Sequence, residues 1–290
     1  MNFQPPEPWI RTLAELIRKT STELPADIVA TLAAGQAAET PGCRAATTLG
    51  TILDNATLAA ETCVPMCQDT GTLTFWFEAP RRTDHRLLEE AARQAVRDAT
   101  ANGWLRLNVI DVPSGAQVSD NVAEGNPSIH IEQRDVDAIS VRLLMKGGGC
   151  ENMNIQYSLP DASLGAGRDL EGVRRCLLDA VWRAQGNGCA PGILGVCVGG
   201  DRANGYAKAK AQLLRTLDDA APDPALAELE RRVLREANTL GIGPMGLGGS
   251  TTLLGVKVAT LPRLPASYFV SVAYGCWACR RGIAALKVEI

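Results

Sequence analysis

Histidine is scarce, with two in 290 residues, and a histidine-rich zinc site is excluded on that count. Basic charge is not in excess: 29 Lys and Arg stand against 32 Asp and Glu, a net charge of −3. With a pI near 5.6, no global positive field exists to hold nucleic acid or an anionic membrane. No apolar run reaches the roughly 18 residues that a membrane span needs. The opening residues, MNFQPP, lack a basic segment followed by an apolar one, so no secretory leader is expected. Internal repeats and coiled-coil heptads are not evident either. What is present, 46% hydrophobic and 21% charged residues, suits a globular protein with a sizeable core.

The nine cysteines are more informative. An odd number in a chain where no leader is expected argues for a cytoplasmic protein with reduced thiols and no disulfide framework. Three of them, Cys67, Cys189 and Cys276, sit in Gly- or Pro-flanked turns beside a predicted strand or helix end. Such backbone lets a thiolate project toward a cluster without a Cβ clash. Cys176 lies mid-helix (RRCLLDAVW) and Cys197 mid-strand (GVCVGG), where packing is the expected role. Cys43 and Cys63 fall in neither group. Two other readings remain open on the residues alone. All nine can be small buried hydrophobes, or Cys63-x-x-x-Cys67 and Cys276-x-x-Cys279 can close a tetrahedral zinc.

The hydrophobic pattern predicts three opening helices, ending at Pro25, Ala38 and Thr62. Strands are expected at 73–78, 108–112, 128–132, 138–145, 193–198, 251–259 and 268–274. Further helices are expected at 85–101, capped by Asp84, and at 169–185, 204–214 and 223–240. Residues 113–127 read as a long polar loop. Without a regular βαβ alternation, the fold class is mixed α+β. A single domain over 1–290, helical over about 1–62, is the expected organisation. The runs Gly147–Gly149 and Gly246–Gly249 flank predicted strands and can form backbone nests for a carboxylate or phosphate. Arg106 and the Arg280-Arg281 pair are candidate carboxylate partners by bidentate geometry. His85 and His130 read as structural.

Taken together, several segments resemble the α part of class I fumarate hydratases, also found in L(+)-tartrate dehydratase. They are Cys67-Gln68-Asp69-Thr70-Gly71, Lys146–Gly149 with Glu151-Asn152, Gly188-Cys189-Ala190-Pro191 and Gly195–Gly200. Gly241–Pro244 with Gly246–Thr252, and Cys276-Trp277-Ala278 with Arg280-Arg281, complete the set. The resemblance implies a [4Fe–4S] cluster held by Cys67, Cys189 and Cys276, with one iron open for Lewis-acid chemistry. It implies a hydro-lyase that hydrates fumarate reversibly to (S)-malate, with tartrate dehydration as the alternative. A non-catalytic iron–sulfur or zinc protein is the reading from a different class. Substrate contacts implied are Gln68, Asp69, Arg106, Gly148 and Gly149, with Asp69 as the catalytic residue of this chain. The group that takes the carbon-bound proton is left open. Fused members continue into a β domain, so a separate β subunit in an α2β2 assembly is expected. Leu264 stands before Pro265-Ala266-Ser267, where some members carry a histidine. Ala190 replaces a proline after Cys189, and Cys150 stands where serine is frequent.

Overall fold

The first helix, α1 (Glu7–Thr22), buries Trp9, Leu13, Leu16 and Ile17 along one face, the spacing of an amphipathic helix. Helices α2 (Ala26–Ala38) and α3 (Arg44–Thr62) follow and end where the sequence predicts. The computed structural model describes residues 4–287. They divide into two compact units. One takes the residues up to Pro25, Asn55–Gly148, and those from Arg280 onward; the other takes Ala26–Asp54 and Gly149–Cys279.

The first unit is built on a four-stranded sheet in the order β2-β1-β3-β8. Its strands are β1 (Thr72–Pro80), β2 (Ser128–Arg134), β3 (Ile139–Lys146) and β8 (Arg280–Leu286). Strand β1 pairs parallel with β2 and antiparallel with β3, and β3 pairs antiparallel with β8. Leu73, Phe75, Phe77, Val141, Leu143 and Met145 form a core with α1 and with α4 (His85–Ala101). Asp84 caps α4 by accepting from the Arg86 N–H.

The second unit holds a sheet ordered β4-β7-β5-β6. These are β4 (Ile155–Ser158), β5 (Gly192–Gly199), β6 (Leu253–Leu261) and β7 (Phe269–Gly275). Helices α6 (Leu170–Ala184) and α8 (Pro224–Asn238), capped by Asp169 and Asp223, pack on Leu194, Val196 and Val198. Helix α7 (Arg202–Gln212) crosses close to β5 at Gly195, where a Cβ would lie 2.3 Å from the Ala209 carbonyl oxygen. Covered on both faces, β5 is buried from end to end, which explains its unbroken apolar run. A four-residue helix, α5 (Gly148–Glu151), follows β3.

The mixed α+β class is as the sequence predicts. Besides the short α5, three elements differ. Residues 108–112 form no strand, only an isolated bridge from Ile110 to Gln117. The N–H groups of Asn108 and Val109 turn to a side chain instead, donating to Asn121 Oδ1. Strand β4 has four residues, too few to show a period. Strand β8 begins with two arginines and a glycine, which mask its alternation. No helix among the described residues is long and apolar enough to cross a membrane.

Candidate active site

In the first unit, the Cys67–Gly71 turn leads into β1 and lies against the end of β3. Gly71 has φ of +78°, and a Cβ there would lie 2.5 Å from the Lys146 carbonyl oxygen. Only glycine allows both the left-handed turn and this backbone approach. The contact sets Asp69 over the glycine turn that follows β3. A Cβ on Gly147 would come within 2.8 Å of Asp69 Oδ2, and one on Gly148 within 3.8 Å.

Thr70 is buried and joins this turn to the segment after α4. Its Oγ1 accepts from the Arg106 N–H at 3.3 Å and from Asn108 Nδ2 at 3.2 Å. Asn121, buried with φ of +60°, holds the same segment from the other side. Its Nδ2 donates to the Arg106 carbonyl at 2.8 Å, and its Oδ1 accepts from the Asn108 N–H at 3.0 Å. The product is an open cleft of about 640 Å³ lined by Gln68, Asp69, Arg106, Leu107, Asn108 and Gln117. Arg106 is exposed there, its backbone fixed at both ends. A cationic side chain on a fixed backbone beside amide donors and a carboxylate suits a small anionic ligand.

In the second unit, Cys189 and Cys276 come together. The Trp277 N–H donates to the Cys189 carbonyl at 3.2 Å, joining the two turns, and both cysteines are half-buried. Tyr274, 1% exposed, underlies them. A Cβ on Gly188 would lie 2.4 Å from its ring and one on Gly192 2.3 Å, so both glycines make room for the tyrosine. Burial pushes the Tyr274 hydroxyl well above its ordinary range, and the sulfurs of Cys276, Cys150 and Cys189 push it further. Of the other implied positions, Cys67 stands in the first unit directly before Gln68, and Gly149 in the second.

The remaining thiols are engaged inside the fold. All nine cysteines are free of disulfides. Burial pushes Cys176 up to about 12 and Cys197 up to about 11, as for inert core thiols. Cys279 is buried with its Sγ 3.7 Å from the Leu213 carbonyl, and Cys63 accepts from Arg18 Nη1 at 3.4 Å. No three His, Cys, Asp or Glu side chains among the described residues gather to hold a single metal ion. Of the two cysteine pairs, Cys63 and Cys67 belong to the first unit and Cys276 and Cys279 to the second.

The turn directly after the second glycine run is occupied from within. Glu39 Oε1 accepts from the N–H groups of Ser250 and Thr251, both at 2.8 Å, and from their hydroxyls, both at 2.9 Å. Here Ser250 and Thr251, beside the glycine run, hold a carboxylate of the chain itself. Arg280 differs from every such group. It is 1% exposed, and its Nε and Nη1 have no hydrogen-bond partner among the described residues.

Residues 10–285 match the family model described as fumarate hydratase (Fumerase). The chain belongs to the Fumerase family. It is 48% identical over 278 residues to a protein of Geobacillus stearothermophilus assigned as a class I fumarate hydratase. That match covers 95% of this chain and 54% of the relative, so the chain spans about half the relative's length. It is 30% identical to the L(+)-tartrate dehydratase subunit alpha of Escherichia coli K12, over 96% of this chain and 90% of the subunit. A Methanocaldococcus jannaschii protein assigned to the same subunit is 31% identical, covering 96% and 97% respectively.

Within this Fumerase chain, sequence reasoning missed Thr70, Asn108, Gln117 and Asn121, which build the cleft around Arg106. An Asn in a long polar loop carries no period, and Asn121 reveals itself only through what its amide holds. Tyr274 was equally silent as the sixth residue of an apolar strand.

Proposed function

We propose that this chain is the α part of an iron–sulfur hydro-lyase that adds water reversibly to fumarate, giving (S)-malate. The observation that carries the reading is the open cleft lined by Gln68, Asp69 and Arg106 in a chain of this family. In this reading Cys67, Cys189 and Cys276 hold a [4Fe–4S] cluster. The donor set suits it: half-buried thiols at turns and outside any disulfide, two of the turns joined through Trp277, and a buried Arg280 whose Nε and Nη1 have no hydrogen-bond partner among the described residues. Ligands around a four-iron cube stand farther apart than ligands around one ion, so the reading needs no single-ion constellation.

When bound, the cluster supplies a Lewis-acidic iron with an open coordination position, which eases departure of hydroxide. The chain's own residues do the rest. Arg106 pairs with one substrate carboxylate, and its exposure lets substrate exchange with water. Gln68 donates its amide to the same end of the molecule. Removing a proton from carbon next to a carboxylate builds aci-carboxylate charge, and donors already in place stabilise it without reorganisation. The backbone of Gly148 and Gly149 serves this role, and Asp69 is the residue of this chain that acts at the reacting carbons.

The tartrate dehydratase subunits matched over nearly their whole length support a second reading, in which L(+)-tartrate loses water to give oxaloacetate. Their designation as α subunits supports a β partner in an α2β2 assembly, in a cytoplasmic enzyme with reduced thiols. The test is anaerobic reconstitution of the chain with iron and sulfide, alone and with a co-produced β part. Broad absorption near ~400 nm and fumarate loss only with the β part are expected. A colourless protein with stoichiometric zinc, or activity of the chain alone, overturns the respective claim. Relative kcat/KM for fumarate and tartrate decides between the two substrates.

A further inference from the structure

Buried cations in folded proteins are paired, because an unpaired charge out of water costs several kcal/mol. Arg280 departs from this rule among the described residues, where its Nε and Nη1 have no hydrogen-bond partner. Its position in the first unit is fixed by strand register. On β8 it stands opposite Met145 of β3, and Met145 stands opposite Leu73 of β1. Opposed residues share a sheet face, so Arg280 lies on the face that α1 and α4 cover. Gly282, two residues on, confirms the face: a Cβ there would lie 2.5 Å from Thr20 Oγ1 and 2.8 Å from Leu16 Cδ1.

The register also fixes which end of the sheet Arg280 occupies. Trp9 Nε1 donates to the Lys287 carbonyl, so α1 runs antiparallel along β8 from Lys287 toward Gly282. Arg280 therefore lies beyond Thr20, toward the end of α1. There the Ser21 carbonyl accepts from the N–H of Met66, the residue before Cys67. The same end of the sheet carries Thr72 opposite Lys146, with the Asp69 turn above them.

We propose that Arg280 is the fixed counter-charge of the anionic thiolate-bound cluster, a positioning residue on the Cys67 side of the site. The inference rests on the cluster reading given above. Substrate must exchange with water at every turnover, and a guanidinium buried inside the chain is unsuited to that. A resident group has no such requirement. Arg106, exposed in the cleft, and Arg280, buried at the sheet end, thus divide two tasks: one meets the exchanging anion and the other the permanent one.

The experiment compares Arg280→Gln and Arg280→Lys with the parent chain, each iron-free and cluster-loaded with its β part. Without iron, Arg280→Gln should unfold at a higher temperature than the parent, because a buried charge without a partner is removed. Loaded, it should unfold at a lower temperature. Its cluster midpoint potential, read by redox titration with EPR, should fall, since the more negative reduced form loses a nearby positive charge. Arg280→Lys should keep the parent potential. A shift of the same sign in both states overturns the proposal, as does an unchanged potential in Arg280→Gln. A raised KM for the diacid with an unchanged potential also overturns it and assigns Arg280 to substrate. So does a Gln variant that fails to fold without iron while the Lys variant folds. A parent chain that takes up no cluster fails the underlying reading instead, and is recognised by its iron content.

Discussion

Lys257 and Arg280 are both buried cations, one in each unit, and they differ in how the fold treats them. Lys257 donates Nζ to the Leu217 carbonyl at 3.1 Å and to Asp219 Oδ1 at 3.0 Å. Arg280 has two guanidinium nitrogens with no partner among the described residues. A charge that serves architecture is satisfied by the architecture itself. The same division runs through the molecule. Glu39, Cys176 and Cys197 are consumed internally, whereas Arg106 and the turn cysteines stay accessible at strand and helix ends. Substitutions in the accessible group should remove function and leave the iron-free fold intact. Those in the satisfied group should do the reverse.

The largest effect is expected at the turn thiols. Cys67→Ser, Cys189→Ser and Cys276→Ser should lose cluster absorbance, bound iron and turnover altogether, because a serine hydroxyl is a poor ligand for iron at neutral pH. Iron-to-protein ratio and ~400 nm absorbance report this. Thermal unfolding of the iron-free chains should match the parent, and a fall there would return these cysteines to the packing group.

Next comes Arg106→Ala. A hydrogen bond between charged groups contributes about 1.5–3 kcal/mol, so kcat/KM should fall roughly ten- to a hundredfold. Asn121→Ala should lower kcat/KM in the same direction, since it frees the backbone of Arg106 without removing the guanidinium. Steady-state kinetics on the reconstituted enzyme measure both. An Asn121→Ala enzyme with parent kinetics would show that the loop is held without it.

How much of this was readable beforehand follows from what each residue reports locally. Helices with an apolar stripe were legible, because the period acts within one element: α1 shows the stripe alone, and α4 and α6 add an Asp cap. The division of Cys176 and Cys197 from the turn cysteines was legible for the same reason. Asn121 was not, since its role lies in bonds to residues 13 and 15 positions away. Glu39 was not either. Its partners Ser250 and Thr251 lie more than two hundred residues away in sequence, and the glycine run beside them reads as a ligand nest until the chain's own carboxylate is found there. Arg280 was visible as a candidate, but its lack of a partner is a property of the folded interior alone.

Glu39→Gln tests the satisfied group. Burial pushes its carboxyl up, but the hydrogen bonds from Thr251 and Ser250 outweigh this and leave its pKa below the ordinary glutamate value. A depressed pKa adds stability that is complete above the unfolded value, near ~4.3, and is lost as pH falls through the folded value. Chemical unfolding at neutral pH should show a loss of about 2 kcal/mol in the variant. The difference from the parent should shrink as the pH falls below ~4. A constant difference across that range would mean that charge at position 39 is not what the turn recognises.

The smallest effect expected is Cys197→Ser. Strand β5 is covered on both faces, so the new hydroxyl has no water to bond, and its cost is about 1 kcal/mol after partial pairing with nearby backbone. Iron content and kcat should stay at the parent level, because this thiol, raised to about 11 by burial, is not a thiolate at working pH. The comparison with Cys189→Ser is the sharpest one available, since the two positions belong to one unit and undergo the same chemical change. If Cys197→Ser loses as much iron as Cys189→Ser, burial is not what separates the two thiols, and the distinction between satisfied and accessible groups fails where it is easiest to measure.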